Sequence, residues 1–246
     1  MHESAIHISL AAEKITEFFG IPITNSLIAA WTVMGLLFVL VFLFRRTVSL
    51  VPGKIQTLVE WGIEGVQDYM EEALENKALA KRFFPLIATI FVFVFFMNEL
   101  EFVPGFGSIG FFRGDEFVPL FRAATADLNT TLALALIAFF TIEFTGVATL
   151  GVLKYGGKFV TFKSPLAFAI GLIELVSNLA RLISFSFRLF GNIFAGEVLV
   201  LVAAFFVPLL LPVPVMLFEL FIGFIQAAIF ALLTLFFIKI AVTEPH

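Results

Sequence analysis

One arginine lies in the middle of an almost unbroken apolar stretch of this chain. Arg188 has no charged neighbour between Arg181 and Glu197. A guanidinium stays protonated at physiological pH, and placing one mid-membrane costs roughly 2.5–3.5 kcal/mol on insertion scales. No acidic residue lies three or four positions from Arg188, where it could form an ion pair along one helix. Its counter-charge must therefore come from another segment or another chain, and a fixed cation of this kind suits a gate for charged species.

Other polar residues of the same apolar stretch share a helical face with Arg188. At about 100° per residue, Glu174 and Asn192 project close to the direction of Arg188, with Ser184 at the edge of that face, whereas Glu197 projects elsewhere. Polar groups inside lipid face a bundle interior, a water-filled cavity or a partner. An ion pair between Arg181 and Glu174 is a purely structural alternative for the inner part of this face.

The elements that position these residues are membrane helices. The chain has 246 residues, of which 61% are hydrophobic and 14% are charged, against about 45–50% and about 25% in soluble domains. A stand-alone soluble enzyme is excluded, and without cysteine, a His/Cys metal spacing or a phosphate-binding loop the sequence gives no sign of a metal, a cofactor or a nucleic acid partner. We expect a multi-pass protein of the lipid bilayer.

The fold class that the sequence predicts is all-α and polytopic, with about five membrane-crossing helices and one amphipathic interfacial helix in a single membrane domain. The amphipathic helix has an acidic polar face, which favours a protein neighbour over a lipid surface. The predicted segments are an outer N-terminal segment 1–25, a first crossing 26–44, the amphipathic inner-surface helix 53–80, a second and third crossing 83–100 and 129–152, and two long tilted helices 164–206 and 215–242.

The distribution of basic residues orients these crossings. If the segments alternate in direction, the Lys and Arg residues outside the fourth segment are divided unequally between the two sides of the membrane. Lys14, Arg113 and Arg122 fall on one side, and all the others fall on the opposite side. The positive-inside rule then places the N-terminus outside and the C-terminus in the cytoplasm. The fourth segment would be about 63 Å long as one helix, against a hydrocarbon core of about 30 Å. It either crosses at a steep tilt, runs horizontally for part of its length, or breaks at Gly191 or Gly196; the inner position of Lys239 favours a single inclined crossing.

This topology places a polar set outside Arg188 and a carboxylate inside it. The outer set comprises Asn192, Glu197, Glu219, Gln226, Asp127 and Asn129, and the inner set comprises Glu174 and Ser184. Carboxylates in a wet cleft can take up and release protons, while the permanent cation repels a cation that would pass straight through. Ions must then travel around Arg188 on a mobile carrier, which points to a second subunit.

Several motifs resemble one known family. The run Arg188-Leu189-Phe190-Gly191-Asn192, followed by Ala195-Gly196-Glu197, is similar to the central motif of the a subunit of the membrane sector of F-type ATP synthases. The runs 96–101 and 126–131 and the last segment with Gln226 extend the resemblance over nearly the whole chain. Some members carry a histidine where this chain has Glu219, so a histidine-based relay is not expected here.

The resemblance implies a stator subunit that couples proton flow to rotation of a c-subunit ring, with b-type peripheral stalk subunits as further partners, in a bacterial plasma membrane. It implies that Arg188 is the essential arginine facing the c-subunit carboxylate, that the outer polar set lines an outer half-channel, and that Glu174 and Ser184 belong to an inner half-channel. On its own the chain would not be an enzyme. The alternative is a stand-alone secondary transporter in which Arg188 binds an anionic substrate.

Overall fold

The computed structural model describes residues 12–103, 105–114, 116–159, 164–208 and 210–243. Its α-helices are α1 Asn25–Thr47, α2 Lys54–Leu74, α3 Lys77–Glu99, α4 Leu128–Leu150, α5 Val152–Gly156, α6 Pro165–Phe206 and α7 Pro212–Val242. Five of the helices in this described part, namely α1, α3, α4, α6 and α7, are long and apolar enough to cross a membrane. The predicted all-α polytopic class is thereby confirmed.

The range 53–80, predicted as one amphipathic helix, is two helices. Helix α2 ends at Leu74 because Glu75 adopts a left-handed conformation, with φ of 52°. The side-chain oxygen of Asn76 then accepts hydrogen bonds from the backbone N–H groups of Ala78 and Leu79, at 3.0 and 3.1 Å. Asparagine in this arrangement caps a helix N-terminus, so the second crossing helix begins at Lys77 and includes residues that the prediction gave to its predecessor.

Helix α6 runs without interruption for 42 residues. Neither Gly191 nor Gly196 breaks it, which agrees with the expectation of a single continuous helix. Its N-terminus is well defined, since the Ser164 hydroxyl accepts a hydrogen bond from the Ala167 backbone N–H at 3.1 Å and Pro165 occupies the first helical position, where its missing N–H costs nothing.

Two short β-hairpins, which the sequence analysis did not predict, lie outside the crossing helices. Strands β1 Lys14–Phe18 and β2 Ile21–Thr24 pair antiparallel, as do β3 Gly110–Arg113 and β4 Glu116–Pro119. Phe19 and Gly20 both have positive φ, the conformation of a tight type I′ hairpin turn. Arg113 donates to the backbone carbonyls of Lys14 and Ile15, at 3.1 and 3.0 Å, so one guanidinium joins the two hairpins.

The chain divides into two compact units. Unit 1 comprises Met1–Val33, Val94–Leu136 and Ala180–Ala228, and unit 2 comprises Met34–Phe93, Ile137–Leu179 and Ile229–His246.

Buried hydrogen bonds between side chains and distant segments hold unit 1 together. The Asn98 amide donates to the backbone carbonyl of Gly223 at 3.0 Å and accepts from the Thr125 hydroxyl at 2.9 Å. The Thr131 and Ser186 hydroxyls lie 3.1 Å apart and connect α4 with α6. Buried polar groups are costly unless they are paired, so these pairs fix the register of the segments that they join.

In unit 2, the end of α2 is tied to the end of α7. Lys239 donates to the Glu75 carboxylate at 2.8 Å. This hydrogen bond, reinforced by the positive charge of Lys239, holds the pKa of the Glu75 carboxyl below its usual range. Because the pair is exposed, its contribution to stability is small.

Candidate functional site

Arg188 lies on an exposed face of α6 in unit 1. Its apolar neighbours on the helix include Ile183 and Phe187, each 56% exposed, whereas Leu189 is only 1% exposed. Arg188 makes no hydrogen bond and no ion pair with any residue that the structure describes. A permanent cation beside exposed apolar side chains, on a helix long enough to cross a membrane, is costly unless it faces water or a counter-charge.

Two polar residues flank Arg188 along α6. Asn192 is half-buried one turn further along, and its amide nitrogen is buried without a hydrogen bond among the described residues. Ser184 is exposed one turn before Arg188. Residues four apart lie on one helical face, so the three side chains form a continuous polar strip in unit 1.

Glu197 points away from this strip, as its wheel position predicted, and forms an ion pair with Arg122. The guanidinium nitrogen lies 3.2 Å from the carboxylate oxygen, and the two side chains are only 13% and 18% exposed. Arg122 belongs to the irregular segment after β4. Arg122 was predicted on the outer side, and its pairing with Glu197 was not predicted.

A cavity of about 380 Å³ opens beside this ion pair in unit 1. Its charged lining comes from Glu13, Glu101, Arg122 and Glu197, and Asn25, Phe106 and Pro119 also contribute. Glu13 precedes β1 and Pro119 ends β4, so the hairpin segments form part of its wall. One oxygen of Glu13 is buried without a hydrogen bond among the described residues. The cavity is large enough for several water molecules.

A second, much smaller cavity connects Glu197 with Glu219. Both carboxyl groups line a space of about 10 Å³ together with Glu101 and Gly196, which is about the room that one water molecule occupies. Glu219, on α7, is only 7% exposed. One water in a space of this size can relay a proton between neighbouring carboxyl groups.

Gly196 makes room for the Glu219 carboxyl group. A Cβ atom at position 196 would overlap both the carboxyl carbon and an oxygen of Glu219. The position of this carboxyl group therefore depends on the absence of a side chain at Gly196, and not on the backbone conformation of the glycine, which is helical.

The remaining residues of the predicted outer set differ in placement. Gln226 is half-buried on α7, two turns after Glu219. Asp127 accepts hydrogen bonds from the backbone N–H and the side-chain amide of Asn129, at 3.0 and 3.1 Å, and from the Ser26 hydroxyl at 2.7 Å. Asp127 thus caps α4 and attaches it to α1. Neither Asp127 nor Asn129 lines the two cavities.

The predicted inner carboxylate, Glu174, is half-buried on the part of α6 that belongs to unit 2. In this unit the structure also reveals Glu143 on α4, which the sequence analysis missed. A lone charged residue in an apolar helix is the same signal that singled out Arg188, and it was available for Glu143 too. In the part of the chain that the structure describes, no cluster of three or more acidic or histidine side chains could hold a metal ion.

Comparison with known proteins gives consistent matches. The family described as ATP synthase A chain matches residues 27–239. ATP synthase subunit a 1 of Syntrophotalea carbinolica is 38% identical over 217 residues, covering 88% of this chain and 85% of that protein. ATP synthase subunit a of a Sulfurihydrogenibium species is 37% identical over 222 residues, covering 89% and 97%. The corresponding Campylobacter jejuni protein is 36% identical over 206 residues, covering 82% and 83%.

Proposed function

The chain belongs to the ATP synthase A chain family, and from this premise we propose that it is the proton-translocating stator subunit of the synthase's membrane sector. In this role it provides two offset aqueous half-channels and one arginine that together couple proton flow to rotation of a c-subunit ring. It catalyses no reaction on its own. A stand-alone secondary transporter is not supported, because the relatives named above are ATP synthase subunits.

The exposure of Arg188 is the observation that carries this proposal. Its guanidinium projects from a membrane-length helix among exposed apolar side chains and has no partner among the described residues. A rotor subunit that presents a carboxyl group within an apolar helix would supply both the counter-charge and the apolar contact. Arg188 then holds that carboxylate in its ionised form as it passes and repels a proton moving straight through.

The outer half-channel follows the two cavities of unit 1. A proton from outside reaches the larger cavity, passes the Glu197–Arg122 ion pair, and is handed through the small cavity to Glu219. Gln226 and Asn192 extend this path towards the rotor. Asp127 and Asn129 support the path by capping α4, and their hydrogen bonds to each other and to Ser26 favour this positioning role over direct proton transfer.

The inner half-channel involves Glu174 and Ser184. Both lie on α6, and the basic residues that follow α4 and end α7 favour a cytoplasmic location for this side. The N-terminus is then outside and the C-terminus in the cytoplasm of a bacterium. The b-type stalk subunits, which hold the stator against the rotor, are the second class of protein partner.

Substituting Gly196→Ala tests the contact between Gly196 and the Glu219 carboxyl group. The new methyl group would overlap the Glu219 carboxyl and displace it; overpacking of this kind costs about 1–3 kcal/mol. We expect ATP-driven proton pumping in reconstituted vesicles to fall about tenfold, with the subunit still incorporated. Gly35→Ala is the matched control, because a Cβ on this helical glycine meets no atom within 4 Å. Equal pumping by the two variants would contradict a role for this contact.

Cysteine crosslinking tests the proposed function as a whole. The chain contains no cysteine, so each introduced thiol is unique. A cysteine at Phe187, which is 56% exposed, is expected to crosslink to a c subunit that carries a cysteine beside its membrane carboxylate, whereas one at Leu189, which is 1% exposed, is not. Failure of the Phe187→Cys variant to capture the ring in an assembled complex would overturn the proposal.

A further inference from the structure

Glu143 is a membrane-embedded carboxyl group to which the proposed function gives no role. It lies in unit 2, on α4, seven residues before that helix ends. One of its oxygens accepts a hydrogen bond from the Tyr155 hydroxyl at 3.0 Å, and the other accepts one from the Asn178 amide at 3.2 Å. Three separate helices, α4, α5 and α6, thus contribute to a single carboxyl site.

The position of Tyr155 is strongly constrained. Its ring lies against Gly146, where a Cβ atom would overlap the aromatic carbons, and Tyr155 is only 5% exposed. The short helix α5 that carries it starts after Gly151, whose φ of 82° favours glycine. These two glycines let the chain turn back so that the hydroxyl reaches Glu143.

Glu143 has a groove on one side and, through Asn178, the predicted inner carboxylate Glu174 on the other. It is half-buried and lines a wide, open and mostly apolar groove of about 570 Å³ with Phe140, Thr141, Phe144 and Val147, all on α4. On the other side, its partner Asn178 lies one turn after Glu174 on α6, and residues four apart on a helix are neighbours. Glu143 therefore lies between a groove and the residue predicted for the inner half-channel.

The chemistry of the two donors allows the carboxyl group to change its protonation state. Both donors are neutral, so neither fixes Glu143 as an anion in the way that a lysine or arginine would. When the carboxyl is protonated, its O–H needs an acceptor, and the Tyr155 oxygen can serve because a hydroxyl both donates and accepts. The site remains hydrogen-bonded with and without the proton.

We infer that Glu143, Tyr155 and Asn178 form a proton-holding site of the inner half-channel, beside Glu174, an inference that rests on the proposed function. During synthesis, a proton leaving the rotor carboxyl binds an oxygen of the Glu143 carboxylate and forms an O–H bond. That bond breaks when the proton passes to water in the groove, and the carboxylate is restored. During ATP-driven pumping the same steps run in reverse.

The substitution Glu143→Gln distinguishes proton transfer from a purely structural hydrogen bond. Glutamine keeps the size of the side chain and a carbonyl acceptor but cannot carry the proton. In complete ATP synthase reconstituted into vesicles, we expect pumping to slow about tenfold at unchanged subunit content. Tyr155→Phe, which removes one donor and leaves the carboxyl, is expected to slow pumping by a smaller factor, about threefold. Wild-type pumping by Glu143→Gln in an assembled complex would overturn the inference.

The Arg188→Ala variant, measured in the same assay, distinguishes a failure of the inner proton site from a failure of the proposed function. If Arg188→Ala is inactive and Glu143→Gln pumps normally, the inner proton site is wrong and the proposed function stands. If Arg188→Ala itself pumps normally, the proposed function is wrong.

A second measurement leaves Glu143 intact and applies even if its substitution impairs assembly. Thr141 lines the groove, whereas Ile137, one turn away, is 55% exposed and does not line it. We expect a membrane-impermeant methanethiosulfonate added on the inner side to modify Thr141→Cys at least about tenfold faster than Ile137→Cys. Equal rates, or modification of Thr141→Cys from the outer side alone, would show that the groove is not an inner aqueous path.

Discussion

Replacing Arg188 with alanine is expected to abolish both ATP-driven proton pumping and proton-driven ATP synthesis. A guanidinium and a carboxylate 4 Å apart attract each other by about 4 kcal/mol at an effective dielectric constant of 20, and losing this attraction slows ionisation of the passing rotor carboxyl by about 1,000-fold. The helix should still form, since the Arg188 side chain is exposed and makes no contact by hydrogen bond or ion pair with the described residues. Pumping by inverted vesicles provides the measurement.

The control for this substitution is Arg46→Ala. Arg46 is an exposed arginine at the end of α1, and its guanidinium lies over the Phe42 ring at 4.4 Å. Its removal changes the net charge by the same amount, and we expect pumping to stay within about twofold of wild type. Normal pumping by Arg188→Ala, with the ring bound, would refute the role assigned to this residue.

Replacing Glu219 with glutamine is expected to reduce proton uptake from the outer side by about 10- to 100-fold. The Glu219 side chain lines the same small cavity as Glu197 and is 7% exposed. Because glutamine cannot take up a proton, it interrupts the path where there is least space for water molecules to carry the proton past it. Glutamine has nearly the same volume, and we expect assembly to be unaffected. The measurement is the rate of ATP synthesis under an imposed proton gradient.

Glu17→Gln supplies the comparison for Glu219→Gln. Glu17 is a half-exposed carboxylate in β1, paired with Lys14, and it lines neither cavity of unit 1. We expect its loss to leave synthesis unchanged. If Glu219→Gln also synthesises ATP at the wild-type rate in an intact complex, Glu219 has a structural role only.

The crossing helices were predictable because length and hydropathy are properties of single segments. The continuous α6 followed from its apolar run and from the side on which Lys239 had to fall. The boundary at Glu75 was not predicted, because the apolar period of α2 continues across it; the capping residue Asn76 was the available signal. Strands of four or five residues, as in the two hairpins, are too short to show a period.

The candidate site was predictable only where a residue stands out within its own segment. Arg188 was singled out by its cost in an apolar segment, which the sequence alone displays. The pairing of Arg122 with Glu197 spans 75 positions and depends on how an irregular segment folds back over α6. The contact of Gly196 with the Glu219 carboxyl group depends on how the α7 side chain packs beside α6. Contacts of this kind arise from tertiary structure and leave no local pattern.

The buried hydrogen bonds of unit 1 have a consequence for the timing of rotor steps. Asn98, which is fully buried, holds the backbone of α7 at Gly223 and the segment at Thr125 simultaneously, and Thr131 and Ser186 connect α4 with α6. Helices that are joined by buried hydrogen bonds in this way change their arrangement little during a single proton transfer. We therefore expect the stator to act as a stationary template, and the timing of each step to be set by the arrival of the next rotor carboxyl.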